Sequence, residues 1–132
     1  MPVAEANKLA ASDELLMRQL HPNNIQEGRL WSGAFTPTKA DAGHLSADRD
    51  SRISPKDAYE RYLKAKALMQ GGGTWGVSIN EFAAIGLDCY ADEIPDNDAH
   101  TLVDFAAKGA EKEKSLGKLA ASKASARGKL YP

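Results

Sequence analysis

The sequence of 132 residues contains a single cysteine, Cys89, so no disulfide can form within the chain. It has no apolar run near the roughly 20 residues that a membrane-spanning helix needs. Residues 1–12 lack the apolar segment behind a basic one that marks a classical signal peptide. The three histidines have no zinc-site spacing. These absences favour a soluble protein without metal or membrane partner, cytoplasmic or exported without a classical signal.

Motifs for phosphate, calcium and nucleophilic chemistry are also missing. Gly71–Gly73 follow a predicted helix and precede a predicted strand, the reverse of a phosphate-binding loop, and we interpret them as a flexible connection. The acidic loop of residues 92–98 lacks the Asp-x-Asp-x-Asp-Gly register of an EF-hand. Cys89 lies between Asp88 and Tyr90, where negative charge disfavours a reactive thiolate. The sequence therefore identifies no catalytic residue and no cofactor, and it leaves open whether the protein is an enzyme.

The composition is that of a globular protein, with 42% hydrophobic and 27% charged residues. The net charge of −1 conceals an asymmetry, because residues 1–105 contain 10 Lys and Arg against 16 Asp and Glu, whereas residues 106–132 contain 7 against 2. We predict a single domain over residues 1–105 and a basic, helical or disordered tail over residues 106–132. Because Leu116 and Leu119 are its only apolar anchors, we expect this tail to pack little and to meet an acidic partner or clasp the acidic body.

Hydrophobic periodicity predicts an α+β fold with a small mixed or antiparallel sheet of about four short strands and two to three helices. Helices are predicted over residues 3–20, from Pro55 with Ser54 as N-cap, and after Asn80 as a second cap. The strand candidates are residues 29–35, 44–48, 74–79, 87–91 and 100–105. We expect the strand at 29–35 to be central, because neither of its faces is strongly polar.

Residues 20–35, LHPNNIQEGRLWSGAF, hold the most unusual mix of side chains. Turn chemistry explains the first part of this stretch but not Arg29. On a strand, Arg29 would share a face with Trp31 and Phe35, so it must reach solvent, stack on a ring or pair with an anion.

We therefore predict Arg29 as a binding residue, with an internal ion pair to Asp48, Asp50 or Asp104 as the alternative. The candidate binding residues are His21, Arg29, Trp31, Ser32 and Ser46. The candidate partner-binding residues of the tail are Lys112, Lys118, Lys123 and Arg127.

The histidine, the Asn-Ile pair, the glycine and the predicted strand within residues 20–35 resemble the opening of ADP-ribosyltransferase-fold enzymes. The resemblance implies that His21 or Arg29 holds the ribose or phosphate of NAD, with Tyr59 or Tyr62 beside the nicotinamide. The family's Ser-Thr-Ser element is absent, and its catalytic glutamate has only Glu81 and Glu93 as candidates.

Two functions follow from these observations. The first is a small macromolecule-binding module, such as an adaptor, an immunity or antitoxin protein, or an assembly factor, which the short length, the split charge and the absence of a reaction motif favour. We expect its partner to be another protein, with nucleic acid as an alternative through the basic tail. The second is a small ADP-ribosyltransferase-like transferase that uses a nucleotide cofactor and is centred on residues 29–35.

Overall fold

The computed structural model describes residues 3–132, except for the side chain of Ser32. Its main strands are β1 (Leu15–Gln19), β4 (His44–Arg49), β5 (Thr74–Ser78), β6 (Asp88–Ala91) and β7 (His100–Asp104). They form one antiparallel sheet in the order β5-β1-β4-β7-β6. Two shorter strands, β2 (Ile25–Gln26) and β3 (Arg29–Leu30), pair as a separate ribbon. The α-helices are α1 (Pro55–Lys66), α2 (Ile79–Ala84) and α3 (Glu113–Arg127).

The predicted α+β class is confirmed, with a five-stranded sheet and a two-stranded ribbon in place of the expected four strands. The strands predicted near residues 44–48, 74–79, 87–91 and 100–105 are all present. The N-cap of α1 is also confirmed, because Ser54 Oγ accepts a hydrogen bond from the Asp57 N–H at 3.1 Å. The cap predicted at Asn80 is wrong, since Ser78 caps α2 in a capping box with Glu81.

The predicted helix over residues 3–20 is wrong, because Leu15–Gln19 form β1. This strand lies between β4 and β5 and pairs Leu16 with both Arg49 and Val77. Leu16 and Met17 are both buried although they lie on opposite faces of the sheet. A strand covered on both faces loses the alternation of polar and apolar residues, and its apolar spacing then fits a helix equally well.

The predicted central strand over residues 29–35 is also wrong. Only Arg29–Leu30 form a strand, and Ser32–Phe35 form a 3-10 helix that buries Ala34 and Phe35 beneath α3. Gly33 leaves room for the Trp31 ring beside this 3-10 helix, because a Cβ at that position would lie 2.5 Å from Cζ3 of the ring. Strand β4 occupies the centre of the sheet instead, between β1 and β7.

Helix α3 lies in the predicted basic tail, but it packs against the rest of the protein, whereas the tail was expected to pack little. It packs against β5 and the 3-10 helix Ser32–Phe35, and it contributes four small buried residues to the interior: Gly117, Ala120, Ala121 and Ala124. The expected anchor Leu119 is 49% exposed. Small side chains let the helix axis approach the sheet closely, so residues that count little as apolar anchors form most of this interface.

The two ends of the described chain occupy the two edges of the sheet. Leu9 N–H donates to Cys89 O at 2.8 Å beside β6. On the other side, Thr74 of β5 exchanges hydrogen bonds of 2.7 and 2.8 Å with the backbone of Tyr131 and Leu130. Both edge strands therefore have hydrogen-bond partners outside the five strands.

Gly117→Ala tests the close packing of α3. A Cβ there would lie 2.8 Å from Thr36 Cβ and 3.0 Å from Thr36 Cα, so the helix must move away. We expect a net loss of about 1–3 kcal/mol in the free energy of unfolding, although alanine favours a helix by about 1 kcal/mol. Urea denaturation measures the change, with Ser122→Ala on the exposed side of α3 as control. A Gly117→Ala protein more stable than wild type would show that α3 does not approach Thr36.

Candidate functional site

Arg29 is exposed on β3, and no carboxylate of the described residues forms an ion pair with it. The internal pairing considered from the sequence is therefore wrong. Asp48 binds Arg61 at 2.9 Å and Asp104 lies 3.4 Å from His44 Nε2. The carboxylate of Asp50 accepts a hydrogen bond from the Leu15 N–H.

Two depressions meet at Arg29 and Leu30. One extends to Trp31 and Glu27, and the other, of about 360 Å³, extends across α3 to Lys118 and Ser122. Leu30 N–H donates to Ser125 Oγ at 3.3 Å and joins β3 to α3. We call this region the Arg29–Trp31 surface: Glu27, Arg29, Trp31, Lys118 and Ser122.

Trp31 is the one exposed aromatic side chain among residues 3–132, with 55% of its surface accessible. The ring lies over Gly33, whose missing side chain leaves the space that the ring occupies. The neighbouring Arg29 is exposed as well, so an aromatic ring and a cation are presented side by side.

The remaining predicted site residues are distributed over the molecule. His21 Nδ1 accepts from the Asn23 N–H and caps the 3-10 helix Pro22–Asn24. Ser46 is exposed on β4, away from the ribbon, and the side chain of Ser32 lies outside the described part. Arg127 is bound to Glu81 at 2.8 Å and to Gly76 O at 2.9 Å. Lys112 precedes α3, and Lys123 lies beside Arg127 on it.

A second candidate site lies where β1 and β4 separate. Their pairing consists of Leu16 with Arg49 and Met17 with Asp48, and it does not continue to Arg18. The Arg18 side chain enters the gap instead. Its Nε–H donates to Ala34 O at 3.0 Å and its Nη1–H to Ser46 O at 2.7 Å. The guanidinium thus bonds a backbone carbonyl of β4, at Ser46, and one of the 3-10 helix Ser32–Phe35, at Ala34.

The gap opens into a cavity of about 420 Å³ on the face of the sheet that carries α1. We call it the Arg18 cleft. One wall is formed by α1 and another by the loop that precedes β7. Its lining includes Arg18, Ser46, Asp48, Ala58, Arg61, Tyr62, Ala65, Asp96, Asn97 and His100.

Several polar and charged side chains of the Arg18 cleft have partners within the protein. Asp48 accepts from Arg61 at 2.9 Å and from Asn97 Nδ2 at 3.0 Å. His100 Nδ1 lies 3.0 Å from a carboxylate oxygen of Asp92.

Arg18 differs from these groups, because no carboxylate of the described residues pairs with it. Burial lowers the pKa of its guanidinium, and the more distant charge of Asp41 opposes that shift. The Asp41 carboxylate is itself bound by Thr38, through the backbone N–H at 2.7 Å and the hydroxyl at 2.9 Å. Burial also raises the pKa of Tyr62, and the charge of Arg18 opposes this rise.

Arg18 is not among the site residues predicted from the sequence, although the sequence contains a usable signal for it. An arginine in the apolar run LLMRQL presents the same problem as Arg29, namely a charge that needs a partner on an apolar element. The signal was overlooked because the run was predicted as a helix, on which an arginine can extend into solvent.

Three further observations concern metal ligands, helix length and the single cysteine. Among the described residues, no group of three or more His, Cys, Asp or Glu side chains could hold a metal ion. No helix there is both long and apolar enough to cross a membrane. Burial, together with the nearby charge of Asp88, raises the pKa of Cys89 to about 12, which keeps the thiol protonated.

Comparisons with protein-family models, with curated protein sequences and with solved structures found no match for this chain. The resemblance to ADP-ribosyltransferase-fold enzymes gains no support from them.

We predict that Cys89 is unreactive in the folded protein. Its pKa of about 12 should reduce the thiolate fraction at pH 8 by roughly a thousandfold relative to an unperturbed thiol. Labelling with iodoacetamide should therefore be slow in the native protein and fast in urea. Rapid native labelling would show that the thiol is accessible and ionised.

Proposed function

We propose that this protein is a binding module that holds an acidic segment of another protein on the Arg29–Trp31 surface. The observation that carries the proposal is the exposed Trp31 ring beside an arginine that has no carboxylate partner among the described residues. Tryptophan and arginine dominate the energetics of protein interfaces, because they combine a large contact area with directional hydrogen bonding.

The position of the Trp31 ring favours binding. The ring lies over Gly33, so its orientation is restricted before a partner arrives. A side chain that is already ordered loses less conformational entropy on binding, and more of its contact energy appears as affinity.

The charges around the ring indicate how a partner lies. Arg29 and Lys118 flank the depression on α3, whereas Glu27 lies in the depression with Trp31. Acidic residues of the partner are therefore expected along α3, with an apolar residue against the indole. A protein segment fits this arrangement better than single-stranded nucleic acid, which is held by successive stacked bases, since Trp31 is the one exposed aromatic side chain described.

We do not propose the nucleotide-dependent transferase centred on residues 29–35. These residues do not form the strand on which that site was predicted. Tyr59, one of the two tyrosines assigned to the nicotinamide, is buried, and its hydroxyl accepts a hydrogen bond from the Gly71 N–H at 2.9 Å.

A labelled peptide with one phenylalanine between two glutamate-rich segments tests the proposal by fluorescence anisotropy. We expect Trp31→Ala and Arg29→Gln each to weaken binding by roughly tenfold or more, as at interface hot spots. The melting temperature should change little, because both side chains are exposed. Glu27→Gln should strengthen binding, since it removes a negative charge beside the indole that would repel the acidic peptide.

Arg52→Gln is the matched control, because Arg52 is an exposed arginine paired with Glu93 and Asp98 elsewhere on the protein. Equal losses in Arg29→Gln and Arg52→Gln would indicate only a general charge effect and would contradict the proposal. Binding of labelled oligothymidylate but not of the peptide would replace the protein partner with nucleic acid.

A further inference from the structure

We propose that the Arg18 cleft binds a small molecule through a carboxylate or phosphate group held by the Arg18 guanidinium. This site is separate from the Arg29–Trp31 surface and does not depend on its function. Arg18 lines the cavity and has N–H donors that the protein leaves unused.

The protein uses only part of the Arg18 guanidinium. The group has five N–H donors, and its bonds to Ala34 O and Ser46 O involve Nε and Nη1. Within the described residues, Nη2 donates no hydrogen bond to another protein atom. Three donors therefore remain, one on Nη1 and two on Nη2. Arginine binds carboxylates and phosphates most strongly through two parallel N–H bonds.

The charge of Arg18 is not neutralised by its two bonds. Both acceptors are backbone carbonyls, which carry dipoles but no net charge. A partly buried cation without a counter-ion is costly, and an anion that enters the cleft would reduce that cost. The other basic side chains that line the cleft are already engaged, Arg61 by Asp48 and His100 by Asp92.

The shape of the cleft suits a small organic anion. A volume of about 420 Å³ lies in the range of roughly 300–1,000 Å³ that is usual for small-molecule sites. Ala58, Ala65 and the partly buried Tyr62 provide apolar wall for the body of a ligand, and Ser46 adds a hydroxyl. Asp96 also lines the cleft, and its charge disfavours ligands with several anionic groups, so we expect one anionic group per ligand.

The Arg18 interaction with Phe35 fixes the position of the guanidinium. Its central carbon lies 6.0 Å from the centroid of the Phe35 ring, and this ring is fully buried. Together with the two carbonyl bonds, the contact holds the charge at one place before a ligand binds. A preorganised donor set of this kind binds an anion with little loss of side-chain entropy.

The test is titration of the ¹⁵N-labelled full chain with inorganic phosphate and, separately, with propionate at constant ionic strength in chloride. We expect a saturable shift of the Arg18 Nε–H resonance for at least one of the two anions, and the comparison identifies the oxyanion class. The resonance of Arg52, an exposed arginine outside both proposed sites, reports non-specific ion binding in the same spectra. Equal shifts of the Arg18 and Arg52 resonances, or none at Arg18, would overturn the proposal.

Two variants separate ligand binding from a structural role of Arg18. Ala65→Phe fills the cleft from α1 without changing Arg18, and we expect it to weaken anion binding at least tenfold while the protein stays folded. Lys64→Gln is the control, because it removes a charge from the exposed side of the same helix. Unchanged affinity in Ala65→Phe, or equal loss in Lys64→Gln, would place the bound anion outside the cleft.

Arg18→Lys gives a further readout. It keeps the positive charge but cannot present two parallel donors, so we expect at least a tenfold weaker affinity for the anion. If this variant is unfolded, the Ala65→Phe titration still decides the question. An Arg18→Lys protein that is folded and binds the anion as tightly as wild type would contradict the proposal.

Discussion

The antiparallel pairing of β1 with its two neighbours organises the rest of the structure. It is complete on one side, where Leu15–Gln19 match Thr74–Ser78 residue by residue. On the other side it stops after two pairs, so the sheet divides beyond Met17 and Asp48. The complete side supports α1 and α3 on opposite faces, and the incomplete side opens the Arg18 cleft. The pairing of β1 thus determines both where the core is continuous and where the Arg18 cleft opens.

The elements that the sequence predicted well are those whose signals are local. Ser54 and Pro55 mark the start of α1 by cap chemistry, and Trp75 and Val77 alternate with smaller residues along β5. The strands near residues 44, 87 and 100 were recognised in the same way. The errors concern elements whose state depends on distant parts of the chain. Strand β1 is defined by partners about 30 and 60 residues away, which no local pattern reveals.

The prediction that residues 106–132 pack little failed for a different reason. Its buried positions are glycine and alanine, which contribute little to a hydrophobic pattern but allow the helix to lie close to Phe35 and β5. Its exposed positions carry the lysines that suggested a solvated tail. The basic charge and the packed core therefore belong to the same helix, seen from opposite sides.

The two arginines discussed here show how much of a site can be inferred from sequence. Each arginine lies in a partly apolar segment, where its charge needs a partner or contact with solvent. This consideration led to the prediction of Arg29 as a binding residue. It did not lead to Arg18, because the segment that forms β1 was predicted as a helix. Assignment of the secondary structure thus limited the assignment of the site.

The occupied edges of the sheet restrict how this protein can meet other chains. The backbone of β6 is engaged at Cys89 by Leu9, and that of β5 at Thr74 and Gly76 by the C-terminal residues and Arg127. Many peptide-binding domains recruit ligands by β-augmentation, in which the ligand adds a strand to an open sheet edge. At the two edges of the five-stranded sheet, that route would require displacement of these native hydrogen bonds. The proposed partner would therefore be recognised by a few exposed side chains rather than by a backbone template.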